Sequence, residues 1–201
     1  INTYINKSLY IYFSGLGIDN YEGSRRASLI NETEKMIINN NLKTVIIRPG
    51  IIIGGGDEFM KRLIPIFRMS LVIPIFGSGN AKIQPVFIED ISLAIKKIVN
   101  NKLKQNNIFE LGGPIVFSYK HLYKFISKNL GIRRLYFRIP FFVSMPLVYI
   151  LEKTPFSPLT RDQLLLFKKD NLVSNNNKNF DDLEIKPQNT EEIIKKIIKN
   201  I

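Results

Sequence analysis

The chain predicts an α/β fold, because short β-branched runs alternate with stretches of helical period and that alternation builds a parallel sheet. Two further observations place a pocket in it. Thr44-Val-Ile-Ile-Arg48 has the composition of a buried strand and stops at Pro49, where the backbone loses a donor. A glycine turn follows, with Gly50 and then Gly54-Gly55-Gly56 before Asp57. Ligands of open α/β sheets bind just past such carboxyl-terminal strand ends, so Arg48, Pro49 and Gly50 are expected beside a pocket.

The other elements follow in order. Leu9 to Ser14 reads as a strand that Ser14-Gly15-Leu16-Gly17 turns away from the sheet. Ser24 to about Asn40 reads as a helix, with Ile30, Met36, Ile37 and Ile38 among its apolar positions. Asp57 is an N-cap candidate for a helix to about Met69, since its carboxylate can accept from the free amides of the first turn. Val72 to Phe76 and Ile83 to Ile88 are extended pieces around Gly77-Ser78-Gly79, and a helix then runs to about Asn100 with Ile91, Ala94, Ile95 and Ile98 on one face. Ile108 to Leu111 is a strand. Ser118 caps a helix that stops at Gly131. Phe141 to Leu151 is a short apolar helix after Pro140; its Phe141, Phe142, Leu147, Val148 and Leu151 could dock on a membrane or a partner subunit, but are read as core. Thr160 caps a helix to about Lys169, Asn171 to Asn179 is a polar loop, and Thr190 caps the last helix with Ile193, Ile194, Ile197 and Ile198 buried. The expected division is 1–112 for the sheet part, with an inserted loop region at 54–85, and 113–201 for a mostly helical subdomain.

Composition narrows the chemistry. The 201 residues include no cysteine, which removes disulfides, thiolate metal sites and cysteine nucleophiles. One histidine, His121, cannot build a metal cluster, so no metal is expected, and its helical position marks it as a surface residue. The net charge of +12 invites an acidic partner, yet the basic residues are scattered without an arginine stripe among aromatics; codon bias of an AT-rich genome is the simpler source, which argues against nucleic acid. No apolar run reaches the roughly 18 residues of a membrane span, and no signal peptide is visible.

Several motifs together resemble one superfamily. These are Phe13-Ser14 at a strand end, Arg48-Pro49 with the glycine turn and Asp57, Pro74 with Gly77-x-Gly79, and Gln84-Pro-Val-Phe-Ile-Glu-Asp-Ile91. They resemble the atypical extended short-chain dehydrogenases/reductases. The later runs Pro155-Phe-Ser-Pro158-Leu-Thr160-Arg161-Asp162-Gln163-Leu164, Lys169-Asp170-Asn171-Leu-Val173 and Leu183-Glu-Ile-Lys-Pro187 are similar to a narrower family, the nucleotide-binding accessory subunits of respiratory complex I (NADH:ubiquinone oxidoreductase) and their bacterial homologues. The resemblance implies a partial NAD(P)-binding Rossmann fold comprising the carboxyl-terminal part of the parallel sheet, a bound NADP(H) or NAD(H) with an incomplete site in this chain, and a non-catalytic role. No G-x-G-x-x-G occurs, and the chain opens on Ile1, so a fragment lacking the phosphate-binding glycines is expected.

Active members of the superfamily use a Tyr-x-x-x-Lys pair on one helical face, the lysine lowering the tyrosine pKa for proton transfer. An ungapped alignment puts these positions on Arg26 and Ile30, neither of which can exchange a proton at neutral pH. Tyr21, in Tyr21-x-x-Ser24-Arg25, is the alternative acid/base and needs an insertion in the following helix. The cofactor-binding candidates are Ser14, Arg48, Pro49 and Gly50, with Ser14 also readable as a plain turn serine. Gln84 is the substrate-pocket candidate, or else a bridge between loops. Gly54, Gly55 and Gly56 suggest a phosphate cradle, but without a P-loop lysine a permissive turn is the plainer account. The expected function is a non-catalytic accessory or assembly protein of complex I, partnered by its subunits, cytoplasmic and peripheral on the cytoplasmic face of a bacterial inner membrane. A NAD(P)-dependent epimerase or reductase on a sugar nucleotide, and an RNA-binding relative, are the alternatives.

Overall fold

The computed structural model describes residues 8–20, 23–40, 43–100, 107–153 and 160–200. In chain order the first elements are β1 (Leu9–Phe13), α1 (Arg25–Ile38), β2 (Lys43–Pro49), β3 (Ile52–Ile53), α2 (Glu58–Met69), β4 (Val72–Phe76), β5 (Lys82–Ile83) and β6 (Val86–Phe87). They are followed by α3 (Ile88–Asn100), β7 (Asn107–Leu111), β8 (Phe117–Ser118), α4 (Tyr119–Asn129), β9 (Leu135–Ile139), α5 (Phe141–Leu151), α6 (Arg161–Leu165) and α7 (Thr190–Asn200).

The main sheet is three parallel strands in the order β1-β2-β7, as the alternation of strand and helix predicts. Register sets Ile11 beside Val45, Ile47 beside Phe109 and Arg48 beside Glu110. Strand residues alternate between faces. Val45 and Ile47 therefore share one face, where they pack with Phe109 and Leu111, with Ile91, Ala94 and Ile98 of α3, and with Phe180, Leu183 and Ile185. Ile46 and Arg48 take the opposite face, which α1 covers. Ser24 caps α1 by accepting from the Ala27 amide, and Ala27 and Ile30 meet Ile18 beneath it. Met36 stands 67% exposed, outside the apolar face expected for it.

A second core forms away from this sheet. Met60, Ile64 and Phe67 of α2, Ile73 and Ile75 of β4, Leu122 and Ile126 of α4 and Ile194 and Ile198 of α7 close on one another. Three two-stranded ladders bind its parts: β4 with β9, β3 with β6, and antiparallel β5 with β8. Residues 54–85, expected as an inserted loop region of the sheet part, thus supply α2, β4 and β5 to the second core. Asp57 caps α2 as expected, its carboxylate accepting from the Met60 amide at 2.6 Å. Strand β9 has no counterpart in the sequence reading; the Ser127 hydroxyl against the Tyr136 hydroxyl (2.6 Å) and Arg134 Nε donating to the Phe67 carbonyl (2.6 Å) pin it beside α4 and α2.

Three helix readings need correction. Helix α6 stops at Leu165, a turn short of Lys169, although Thr160 and Gln163 form a complete capping box at its start. Asn189, not Thr190, caps α7: its side-chain oxygen accepts from the Glu191 and Glu192 amides, while the buried Thr190 hydroxyl donates to the Pro85 carbonyl. Helix α5, read as core, buries only Ser144 and Val148 fully. Among the described residues no helix is long and apolar enough to cross a membrane.

Candidate functional site

The carboxyl-terminal ends of β1, β2 and β7 carry a knot of charge. The Arg48 guanidinium, 6% exposed as a residue, reaches the α1 side of the sheet. It takes Glu34 side-on, with Nε at 3.0 Å from one carboxylate oxygen and Nη2 on the other. Its Nη1 meets Asp19 at 2.8 Å and Glu110 at 3.4 Å. Burial alone pulls the Arg48 pKa down, but the hydrogen bonds and charge of Glu34, then Asp19, outweigh it and leave the cation more firmly protonated than usual. Burial likewise tends to raise Glu110; the Ser174 amide, the Asn177 side chain and the Arg48 charge overcome this and hold its carboxyl below the usual range. The planar fork of arginine suits such two-oxygen pairing.

A strap of residues 170–178 crosses this end of the sheet. Asn171 donates its amide to the Lys82 carbonyl at 2.7 Å, and Asp170 accepts from the Lys82 amide at 2.8 Å. The Ser174 amide and the Asn177 side chain both donate to Glu110, at 2.7 and 2.8 Å. Lys178 then pairs in parallel with Phe109 on the edge of β7. At the other side Asn171 packs on Gly17, which follows β1, and Val173 packs on Gly112, which follows β7. The strap therefore spans the mouth of the sheet across the end of the central strand, β2. The sequence predicts a polar loop over Asn171 to Asn179, with Lys169 to Val173 among the residues that carry the resemblance.

Gln84 ties the strap down. Its Nε2 donates to the Gly113 carbonyl at 2.8 Å and its Oε1 accepts from the Val173 amide at 3.1 Å, so its amide spans two loops. Gly50 sits under it: a Cβ there would lie 2.1 Å from the Gln84 carbonyl oxygen. The Gly50 amide donates to the Leu111 carbonyl at 2.9 Å, and the Pro49 carbonyl accepts from the Leu16 amide at 2.9 Å. Arg48, Pro49, Gly50 and Gln84 thus converge on one place, and the groups named here are engaged with the protein itself. Ser14 differs. Its amide donates to the Ile47 carbonyl at 2.8 Å, whereas its buried hydroxyl oxygen has no hydrogen-bond partner.

The remaining candidates lie elsewhere. Gly54-Gly55-Gly56 and Asp57 line a cleft of about 440 Å³ together with Lys61 and Lys196. The Asp57 carboxylate accepts from the Gly54 and Met60 amides, so the protein's own anion occupies the start of α2. Arg26 is exposed on α1, and Ile30 packs toward Ile18 and Ala27. Tyr21 lies outside the described residues, as do Pro155 to Leu159 of the narrower motif. His121 is exposed on α4, its ring 5.3 Å from that of Phe117. Glu34, Asp19, Glu110 and the strap are the parts that sequence reasoning missed. One signal was present: Arg48 and Glu110 are charges inside apolar strands, and such charges need partners.

Comparison with solved structures gives the fold. The chain aligns over 98% of its length with the human epimerase family protein SDR39U1, solved with NADPH (TM-score 0.68, 14% identity, 69% of that chain). It aligns over 98% with the UDP-N-acetylglucosamine 4-epimerase of Methanobrevibacter ruminantium (TM-score 0.64, 14% identity, 63% of that chain). The fold is that of the extended short-chain dehydrogenases/reductases, with a Rossmann-type parallel sheet. By sequence the chain is homologous to a complex I subunit. It is 28% identical over 188 residues to the Arabidopsis thaliana mitochondrial NADH dehydrogenase [ubiquinone] 1 alpha subcomplex subunit 9, covering 89% of the chain and 47% of that protein. The Rattus norvegicus counterpart is 23% identical, covering 85% and 47%. The chain spans about half the length of these relatives. No protein-family model matches.

Proposed function

We propose that this chain is part of a nucleotide-holding, non-catalytic accessory or assembly protein of the respiratory NADH:ubiquinone oxidoreductase, peripheral on the cytoplasmic face of a bacterial inner membrane. The observation that carries this reading is the strapped mouth of the sheet. Gln84, the substrate-pocket candidate, bridges Gly113 and Val173. Arg48 is held by three carboxylates. The homology to subunits of that complex supplies the partner, and the epimerase reading is the less favoured.

The residues present fit a dinucleotide in one respect. Ser14 follows β1 with a buried hydroxyl lacking a partner, and such an orphan calls for one. Ser14 would hold the dinucleotide through that hydroxyl, while Pro49 and Gly50 would shape the floor through backbone already fixed on Leu16 and Leu111. A nicotinamide, when bound, supplies hydride chemistry. Arg26 and Ile30 provide no proton to accompany it. The strap ties Gln84 and Glu110 into the protein's own contacts, which favours retention over turnover.

Affinity capture of the tagged gene product from detergent-solubilised membranes tests the partner. Subunits of the oxidoreductase should co-elute, and deletion should lower NADH oxidation by membranes. A protein that elutes alone, with membrane NADH oxidation unchanged on deletion, overturns the proposal.

A further inference from the structure

We propose that α5 is a lipid-docking element that lies in the plane of an anionic membrane surface. The inference rests on the peripheral placement given above and names the surface responsible. The sequence of α5, Phe-Phe-Val-Ser-Met-Pro-Leu-Val-Tyr-Ile-Leu, contains no charged residue. A surface helix ordinarily turns a polar face to water. Here the outward face is apolar: Phe142 is 80% exposed, Ile150 64%, Leu147 49%, and Val143 and Tyr149 46%. A contiguous apolar patch of this kind marks an interaction surface.

The surroundings select the occupant. Lys168 Nζ stands 5.3 Å from the ring of Phe141 at the start of the helix. Lys153 Nζ and the Arg161 guanidinium stand 4.7 and 4.8 Å from the ring of Tyr149 near its end. Cations therefore flank both ends of an uncharged face, and Glu152, which follows the helix, is taken by Arg161 at 2.7 Å. An apolar face rimmed by cations matches a bilayer interface, acyl chains under the one and anionic headgroups under the other. A tyrosine at the rim suits the same boundary. Eleven residues make a rod of about 16 Å at the helical rise, roughly half the hydrocarbon thickness, so the helix lies flat. A protein partner would cover the apolar face without needing a cation at each end.

Vesicle flotation of the full chain tests this. The vesicles are phosphatidylcholine alone, or phosphatidylcholine with about 30% phosphatidylglycerol, a surface-charge density at which clustered lysines and arginines bind. The chain should float with the anionic vesicles and partly dissociate at high salt. The exposed pair Phe142→Glu/Leu147→Glu should weaken partitioning at least about tenfold. Lys153→Glu/Lys168→Glu should abolish the preference for anionic over neutral vesicles. Circular dichroism verifies folding, and Ile150→Asp replaces the apolar pair if that pair unfolds. Wild-type chain that stays with neither vesicle, or that floats equally with both, overturns the proposal. Co-elution with respiratory subunits without flotation would assign α5 to a protein surface and leave the functional reading standing.

Discussion

Arg48 stands where a ligand contact is expected, and its guanidinium is engaged by the protein's own carboxylates. Its place before Pro49, at a strand end on a glycine turn, is that of a pocket residue. Register and burial decide its role: Glu110 stands beside it on β7, and Glu34 on α1 covers it. A buried guanidinium without carboxylates would cost several kcal/mol, so the three acids are a condition of the sheet end folding. Arg48→Met leaves those acids facing one another and should lower stability by about 3–5 kcal/mol in urea titration. Glu110 gives this cluster a pH dependence. Its folded pKa lies below the ordinary 4.5, so its stabilisation is present above that value and is lost as pH falls beneath it. Asp90 works in the other direction: burial raises its carboxyl despite the Gln188 bonds, so its contribution is full in acid and fades as pH rises through the raised value. Thermal melts between about pH 6 and pH 3 should show a steeper acid decline in wild type than in Glu110→Gln, and parallel declines would contradict the assignment. Gly50 is required by contact, not by turn geometry. Gly50→Ala sets a Cβ against the Gln84 carbonyl and should cost about 3 kcal/mol by the same titration.

At the scale of elements, the strap and α5 diverge most from what the sequence displays. The stretch from Asn171 to Asn179 is polar and aperiodic, and nothing local marks it as bound. Its order comes from partners some 64 to 89 residues away in sequence, in Glu110 and Gln84, and such pairing leaves no periodic trace. Gln84→Ala frees the Val173 amide and the Gly113 carbonyl at once. It should cost about 1–2 kcal/mol and speed hydrogen exchange across 171–178 while leaving α3 protected. Strand β9 escaped for a related reason: with a face of Leu135 and Phe137 left exposed, it lacks the alternation that marks a half-buried strand. Elements with a local cause were legible. Ser24, Asp57, Ser118 and Thr160 each cap the helix that their position predicts, and the β-branched run from Thr44 to Ile47 is the fully buried central strand.

For the whole molecule, the parallel order β1-β2-β7 was readable from alternation, but the grouping into cores was not. Chain order suggested a sheet part with an insertion and a helical part behind it. Packing instead joins α2 and β4 to α4 and α7, because β4 finds its partner in β9, about 60 residues on. The candidate site was legible as a location, the carboxyl end of the sheet, since that follows from topology. Its contents were not, because the carboxylates on Arg48 and the strap on Gln84 are tertiary facts. The central claim is that this sheet end retains a dinucleotide and does not turn it over. The direct measurement is the nucleotide content of the gene product purified under native conditions, followed at 340 nm during incubation with UDP-sugars. The account predicts close to one NADP(H) or NAD(H) per chain, released on denaturation and unchanged by any sugar nucleotide. Nucleotide-free protein, or a cofactor signal consumed or cycled by a sugar nucleotide, would contradict it.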